Sequence, residues 1–170
     1  MIAVERLAAP RRPLVSGLVV ATVVLVLDQA SKALVLARFG GAEDRIVPVA
    51  PCLNLTLVAN HGVSFGLFNT GTGWRPWVFS LIAVAIVGVL LHLLRTARNR
   101  IVVAGMGVIV GGAIGNLIDR VRFGSVVDFV DFHFGAWHWY VFNLADAAIC
   151  VGVALLLLDG LLVRPESPKA

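Results

Sequence analysis

The sequence predicts an all-α membrane protein with four transmembrane helices. Hydrophobic residues make up 59% of the chain and charged residues only 14%, and the mean hydropathy is +0.92. Soluble domains carry about 25% charged residues. Four apolar runs, each near the length of about 20 residues that crosses a bilayer, alternate with connections rich in polar and turn residues. The composition therefore favours a membrane protein over a soluble globular domain.

The apolar runs define the boundaries of the predicted helices. We expect spans over about residues 14–36, 77–94, 101–118 and 140–158, within a single domain that occupies residues 1–170. The first run continues past the apolar segment of about 7 to 15 residues found in cleavable signal peptides, so we expect it to be retained. Tryptophans precede the second and fourth spans, as is typical of membrane interfaces.

Arginine and lysine residues predict the orientation of the spans. In a four-span arrangement one set of basic residues falls on a single side, which the positive-inside rule assigns to the cytoplasm. The tails 1–13 and 159–170 are then cytoplasmic, and the two long connections face outward. The net charge of +4 does not indicate nucleic-acid binding, because these basic residues flank apolar runs. They are Arg6, Arg11, Arg12, Arg95, Arg98, Arg100, Arg164 and Lys169.

Polar residues interrupt the first apolar run near its outer end. Asp28 and Lys32 are four residues apart, so they lie on one helix face, with the acid on the N-terminal side as helical ion pairs favour. We interpret them as a structural pair at the end of the helix, with a direct catalytic role as the alternative. In the third span, Gly107, Gly111 and Gly115 also share one face, which predicts close helix packing.

The two outward connections carry further patterns. The segment LNLTLVAN alternates apolar and polar residues over 53–60, which predicts a half-exposed strand. The glycine-flanked segment that follows, at residues 60–66, predicts a bend, and His61 within it is expected to be solvated. A second short strand is predicted within 125–134.

Three aspartates lie inside or beside the apolar runs of the second half. Asp119 is followed by Arg120, which predicts an anion held by that arginine. Asp128 and Asp146 have no neighbouring cation in sequence, and we expect Asp146 about two turns into the fourth helix. If Asp128 and Asp146 approach each other, they can share one proton and activate a water molecule between them. Ion passage and structural pairing are the alternatives.

Other side chains favour different sites less strongly. We expect no disulfide, because Cys52 lies in a polar connection and Cys150 in an apolar run, and no CxxC spacing indicates a metal. A metalloprotease using His133 and His138 with an aspartate is an alternative, although their spacing matches no known ligand pattern. A transporter or channel subunit with proton-relaying aspartates is another, but it would carry midplane charges and internal repeats.

Five motifs follow one another along the chain: DQASK at residues 28–32, NHGVSF at 60–65, GGAIGNLIDR at 111–120, VVDF at 126–129 and FNLAD at 142–146. In this order and spacing they resemble the motif set of the bacterial lipoprotein signal peptidases, also called signal peptidase II. The resemblance covers about residues 14–158. The outer connections between the motifs and the terminal tails match less well.

The resemblance implies an aspartic endopeptidase of the bacterial inner membrane. Such enzymes remove the signal peptide from prolipoproteins by cutting before the cysteine that carries a diacylglyceryl group. The resemblance also implies four transmembrane helices, a small extracytoplasmic β-cradle, a short outer helix over the site, and inhibition by the cyclic peptide globomycin. We expect a diacylglyceryl prolipoprotein and membrane lipid as partners, no nucleic acid, no metal or cofactor, and a monomer.

Matching the motifs residue by residue implies a role for each polar side chain. Asp128 and Asp146 are the expected catalytic pair. The residues expected to line the site and hold the substrate or the pair are Asn60, Asn116, Arg120 and Asn143. The residues expected to support the architecture are Asp28, Lys32 and Asp119.

Overall fold

The computed structural model describes residues 10–40, 45–62 and 75–162. Its long helices are α1 (Pro13–Phe39), α2 (Arg75–Leu94), α3 (Arg100–Phe123) and α4 (Leu144–Leu162). Its strands are β1 (Val47–Ala50), β2 (Leu53–Asn60), β3 (Val126–Phe134) and β4 (Trp137–His138). All four helices are long and apolar enough to cross a membrane, which confirms the predicted class of a multi-pass membrane protein.

Helix α3 is the most buried of the four and packs against α1 along the predicted glycine face. A Cβ atom on Gly107 would lie 2.6 Å from the Gly17 carbonyl oxygen, and one on Gly111 would lie 2.5 Å from that of Ala21. Since real Cβ atoms do not approach so closely, only glycine allows this spacing. The predicted role of the glycines in helix packing is confirmed, and it brings the polar ends of α1 and α3 together.

The strands form one antiparallel sheet in the order β1-β2-β3-β4. Strand β2 has the bounds that its alternating pattern predicted, and its last residue, Asn60, pairs with Val126 at the start of β3. The register continues to Leu53 opposite Phe132, with an irregularity between Leu55 and Val58. Strand β3 begins just after Gly124, which ends α3 in a left-handed conformation with φ of 72°.

The sheet packs against the last turns of α1 through a small hydrophobic core. Its buried members come from α1, β2 and β3 and comprise Val35, Phe39, Leu57, Val127 and Phe129. Because adjacent residues of a strand point to opposite faces, Val127 and Phe129 enter this core while Asp128 between them faces the other way. The core therefore helps to fix the position of Asp128 relative to the polar end of α1.

One helix boundary differs from the expected one, and this difference affects the geometry of the site. We expected the fourth span to begin at about residue 140, but α4 begins at Leu144. The reason is a backbone pairing: Phe142 donates to the Val130 carbonyl at 3.1 Å and its own carbonyl accepts from Val130 at 2.8 Å. The expectation of Asp146 two turns into the helix is therefore wrong, because Asp146 lies in the first turn of α4.

Two expectations fall partly outside the described residues. The bend predicted for 60–66 is described only as far as Gly62, which has a positive φ of 90°. The short outer helix implied by the resemblance is not among the helices of residues 10–40, 45–62 and 75–162. The parts of the outer connection at 41–44 and 63–74 lie outside those ranges.

Candidate active site

Asp128 and Asp146 meet at one end of the helix bundle, where β3 passes the N-terminus of α4. The two carboxyl groups are joined through asparagine side chains. The Asn143 amide donates to Asp128 Oδ1 at 2.6 Å, and the Asn116 amide donates to Asp146 Oδ1 at 2.8 Å. The Asn143 amide also lies 3.1 Å from the Asn116 side-chain oxygen, which closes the link between the two carboxyls.

Asn143 also caps α4, and Asp146 completes the cap. The Asp146 backbone N–H donates to the Asn143 side-chain oxygen at 2.9 Å, and the Asn143 backbone N–H donates to Asp146 Oδ2 at 3.3 Å. This reciprocal pattern between the cap residue and the third helical residue is a capping box. The local fold of the helix start therefore sets the position of the Asp146 carboxyl.

Asp128 is almost fully buried and is held on both oxygens. Asn143 binds Oδ1, and the Asn60 amide donates to Oδ2 at 2.8 Å. Burial raises the pKa of Asp128 to about 6, and the nearby Asp146 adds to the rise, while the hydrogen bonds from Asn60 and Asn143 and the charge of Lys32 oppose it. A carboxyl with such a pKa can hold or release a proton near neutral pH.

Beneath the two carboxyls lies a buried ion cluster. The Lys32 ammonium lies 2.9 Å from Asp28 Oδ2, 2.8 Å from Asp119 Oδ2 and 3.0 Å from the Asn116 side-chain oxygen. An ammonium has three N–H donors, so all of them are used. Gln29 adds hydrogen bonds of 3.1 Å to both Asp28 and Asp119. The predicted pairing of Asp28 with Lys32 is present, and the pair extends to a second helix.

The ion cluster holds both elements that carry the candidate catalytic residues. Asp28 Oδ1 accepts the backbone N–H of Ala145, next to Asp146, at 3.0 Å. Asp119 Oδ2 accepts the backbone N–H of Val127, next to Asp128, at 3.2 Å. Since Lys32 binds both aspartates, one buried side chain ties the start of α4 to the start of β3. A Cβ atom on Gly115 would overlap the Asp28 carboxylate, so this cluster also requires that glycine.

The expectation that Arg120 holds Asp119 is wrong. Neighbouring residues on a helix point in different directions, and the cation on Asp119 is Lys32. The Arg120 guanidinium donates to the Asn116 backbone carbonyl at 3.3 Å and lies 5.7 Å from the centre of the Phe79 ring. Within the described residues no carboxylate oxygen lies within 4 Å of the guanidinium. Arg120 is half-buried, and its guanidinium interacts electrostatically with both candidate catalytic carboxyls.

His133 and His138 lie elsewhere, on the hairpin formed by β3 and β4. Their rings stack 5.1 Å apart, and His138 Nδ1 pairs with Asp131 Oδ1 at 2.8 Å. Burial would raise the pKa of Asp131, but the hydrogen bonds from Asn54 and His138 and the charges of the two histidines lower it overall. In the described part of the chain, no three His, Cys, Asp or Glu side chains converge as a metal site would require.

The structure brings the predicted site residues into one connected network. All nine lie within the described ranges, at the end of the bundle where α1, α3, β2, β3 and α4 meet. Sequence reasoning missed Gln29 as a member, although its place inside an apolar run between Asp28 and Lys32 was a usable signal. It also missed the backbone N–H groups of Val127 and Ala145 and the ring of Phe79, for which no sequence pattern exists.

Comparison with known proteins agrees with this architecture. The family described as signal peptidase (SPase) II matches residues 20–162. A lipoprotein signal peptidase from Burkholderia mallei (strain SAVP1) is 43% identical over 143 residues, which are 84% of this chain and 85% of that protein. One from Methylobacterium sp. (strain 4-46) is 45% identical over 148 residues, 87% and 90% of the two chains.

Solved structures show the same fold. A bacterial membrane enzyme determined by the in meso method at 2.3 Å resolution has a TM-score of 0.77 and 25% identity, with 98% of both chains covered. A second, at 1.9 Å resolution, has a TM-score of 0.74 and 25% identity, with 92% of this chain and 97% of that one covered. The matched segment of the family contains every residue of the network described above, and the chain belongs to the signal peptidase II family.

Proposed function

We propose that Asp128 and Asp146 are the catalytic pair with which this peptidase removes signal peptides from prolipoproteins. Family membership makes the chain a peptidase of lipoprotein precursors and disfavours the transporter hypothesis. The observation that carries the assignment is the position of Asn143, which binds Asp128 with its side chain and Asp146 with its backbone N–H. Two carboxyls held by one residue keep a fixed separation, as a shared water molecule requires.

In the first step, one carboxylate takes a proton from a water molecule lying between the pair. The water oxygen attacks the carbonyl carbon of the scissile peptide bond, and the other carboxyl donates its proton to the carbonyl oxygen. The product is a tetrahedral diol, formed without a covalent bond to the enzyme. The pKa of Asp128, raised to about 6 by burial, favours Asp128 as the carboxyl that donates this proton.

In the second step, the tetrahedral diol collapses and the C–N bond breaks. The carboxyl that took the proton from water returns it to the departing amine nitrogen, and Asp128 recovers its proton from the diol. The pair is then restored for another cycle. Asn60 and Asn143, which bind the two oxygens of Asp128, hold that carboxyl in one orientation through both proton transfers.

We propose that Arg120 handles substrate instead of transferring protons. Its guanidinium has five N–H donors, and the structure directs one of them to the carbonyl of its own helix. The remaining donors can bind backbone carbonyl groups of the substrate on either side of the scissile bond. Asn116 and Asp28 act behind the reacting atoms, by holding Asp146 and the start of α4.

The substrate we propose is a precursor whose cysteine already carries a diacylglyceryl group, cut just before that cysteine. Such a substrate is anchored in the bilayer, and the catalytic pair lies at the ends of apolar helices, where a membrane-bound chain would be within reach. We propose that both termini lie in the cytoplasm of a bacterial inner membrane and that the site lies at the outer face. The arginines flanking the opposite ends of the bundle support this orientation.

A gel-shift assay with two precursors tests this function. The full-length chain, purified and returned to lipid, should shorten a diacylglyceryl precursor and leave the same precursor without the lipid uncut. Mass spectrometry should find the new N-terminus at the lipidated cysteine. Globomycin should block the reaction, EDTA should leave it unchanged, and light scattering should give the mass of a monomer. Equal cutting of both precursors would contradict the proposed substrate, and loss of cutting in EDTA would contradict the aspartate mechanism.

A further inference from the structure

Phe79 of α2 reaches the candidate active site. It lies near the start of that helix, and the residue is 39% exposed. The hydrogen bonds described above come from α1, α3, α4 and the sheet, and α2 adds the apolar ring of Phe79 to the site. Its two contacts there are with the Arg120 guanidinium and the Gly62 backbone.

The first contact is a cation–π interaction. The guanidinium carbon of Arg120 lies 5.7 Å from the centre of the Phe79 ring, inside the limit of about 6 Å for such contacts. The guanidinium also donates a hydrogen bond to the backbone carbonyl of Asn116 in its own helix. The ring is therefore a group from outside α3 that contacts the guanidinium directly and can fix the direction in which it points.

The second contact fixes the ring itself. A Cβ atom on Gly62 would lie 2.6 Å from Phe79 Cε2 and 2.7 Å from Cδ2, so the ring edge rests directly on the glycine backbone. Gly62 is held in turn, because its N–H donates to the Asn60 side-chain oxygen at 2.8 Å. The side-chain nitrogen of Asn60 donates to Asp128 Oδ2 at 2.8 Å. The glycine backbone that contacts the ring is thus connected, through Asn60, to the carboxyl of Asp128.

We infer that Phe79 is a positioning residue that holds the Arg120 guanidinium at a fixed place beside Asp128 and Asp146. The inference rests on the proposed function, in which Arg120 binds the substrate backbone. The Gly62 turn and the ring form a support between Asn60 and Arg120, so the guanidinium keeps its place relative to Asp128. Loss of the ring leaves every polar group of the site present but releases Arg120.

The test compares Phe79→Leu with Phe79→Tyr and with a matched control. Phe123→Leu is the control, because Phe123 is also a partly exposed phenylalanine with an arginine, Arg122, 4.9 Å from its ring centre. For Phe79→Leu we expect kcat/KM on the diacylglyceryl precursor to fall by about three- to thirty-fold, the range that cation–π contacts span. The fall should come mainly from a higher KM. Phe79→Tyr, which keeps the ring, should have the kcat/KM of the wild type. Phe123→Leu should leave kcat/KM unchanged.

A double-mutant cycle with Arg120→Ala separates positioning from a general packing effect. If Phe79 acts through Arg120, then Phe79→Leu should have little further effect on kcat/KM once Arg120 is alanine. Additive losses would overturn the inference, as would equal losses in Phe79→Leu and Phe123→Leu. Phe79→Met serves as a second variant if Phe79→Leu does not fold, because its flexible side chain fills the same space without a ring.

Failure of this inference can be told apart from failure of the proposed function. If Asp128→Asn and Asp146→Asn are inactive while Phe79→Leu cuts as fast as Phe123→Leu, then the catalytic pair stands and the role of Phe79 is wrong. If the two aspartate variants cut normally, then the proposed catalytic pair itself is wrong. The same purified proteins and the same precursor serve both comparisons.

Discussion

The Lys32 ammonium lies 2.8 Å from Asp119 Oδ2, and this contact joins α1 to the helix that precedes the strand of Asp128. Through Asp28 the same ammonium is joined to the start of α4, which carries Asp146. Both carboxyls of the proposed catalytic pair are therefore placed by a cluster in which neither takes part. Buried ion pairs add little net stability, but removing one partner is costly because the other charge is left without compensation.

Lys32→Met should damage both stability and cleavage. We expect the free energy of unfolding in mixed micelles to fall by about 3 to 5 kcal/mol, the usual cost of breaking a buried ion pair. Cleavage of the lipidated precursor should be lost, since the start of α4 and the start of β3, which carry the proposed catalytic pair, are no longer held by the ion cluster. Thr22→Val on the same helix is the control, because the Thr22 hydroxyl is exposed and donates to the Leu18 carbonyl of its own helix. Wild-type cleavage by Lys32→Met would show that the cluster does not position the pair.

Variants of Asn143 separate helix capping from the contact with Asp128. Asn143→Ser keeps a good capping side chain, whereas Asn143→Ala removes it, so the alanine variant should be less stable by about 1 kcal/mol. Neither side chain can reach Asp128, which Asn143 contacts at 2.6 Å. We therefore expect both variants to lose most of their cleavage rate. If the serine variant cut at the wild-type rate, capping alone would account for Asn143.

Much of the fold was predictable because it depends on local patterns. The four apolar runs have the length of a membrane-spanning helix, while the alternation in β2 and the glycine spacing in α3 match the periods of a strand and a helix. The structure follows all three patterns. The pairing of Asp28 with Lys32 was predictable for the same reason, since one helical turn separates them. These features need no knowledge of distant parts of the chain.

The errors came from contacts between distant segments. Arg120 follows Asp119 in sequence, but side chains one residue apart on a helix point about 100° apart, and the cation that Asp119 meets comes from α1. Residues 140–142 are apolar enough to extend α4, yet the backbone of Phe142 pairs with Val130 of β3. Hydropathy alone does not distinguish a helix start from such a pairing.

Asp128→Asn should change how stability depends on pH. Because burial raises the Asp128 pKa from about 3.8 to about 6, the folded protein favours the protonated carboxyl. That contribution is complete below pH 4 and is lost as the pH rises through 6, with an upper limit of about 3 kcal/mol. Thermal unfolding from pH 4 to pH 8 should therefore show the variant gaining stability relative to the wild type as the pH rises. Parallel curves would contradict the raised pKa.

Two glycine variants test the packing of α1 on α3. Gly111→Ala would place a Cβ atom 2.5 Å from the Ala21 carbonyl oxygen, so we expect the helices to separate and the unfolding temperature to fall. Gly88→Ala on α2 is the matched control, because nothing lies within 4 Å of its Cβ position. That change should be neutral or should stabilise α2 by up to about 1 kcal/mol. Similar unfolding temperatures for the two variants would show that the close approach is not needed.

The most direct test of the account replaces each proposed catalytic carboxyl by an amide of the same shape. Asp128→Asn and Asp146→Asn should insert in the membrane and fold, since an asparagine keeps the size of the side chain and can still form hydrogen bonds. Cleavage of a diacylglyceryl precursor by either purified variant should be undetectable on a gel that resolves precursor from product. Cleavage at the wild-type rate by either variant would contradict the assignment of Asp128 and Asp146 as the catalytic pair.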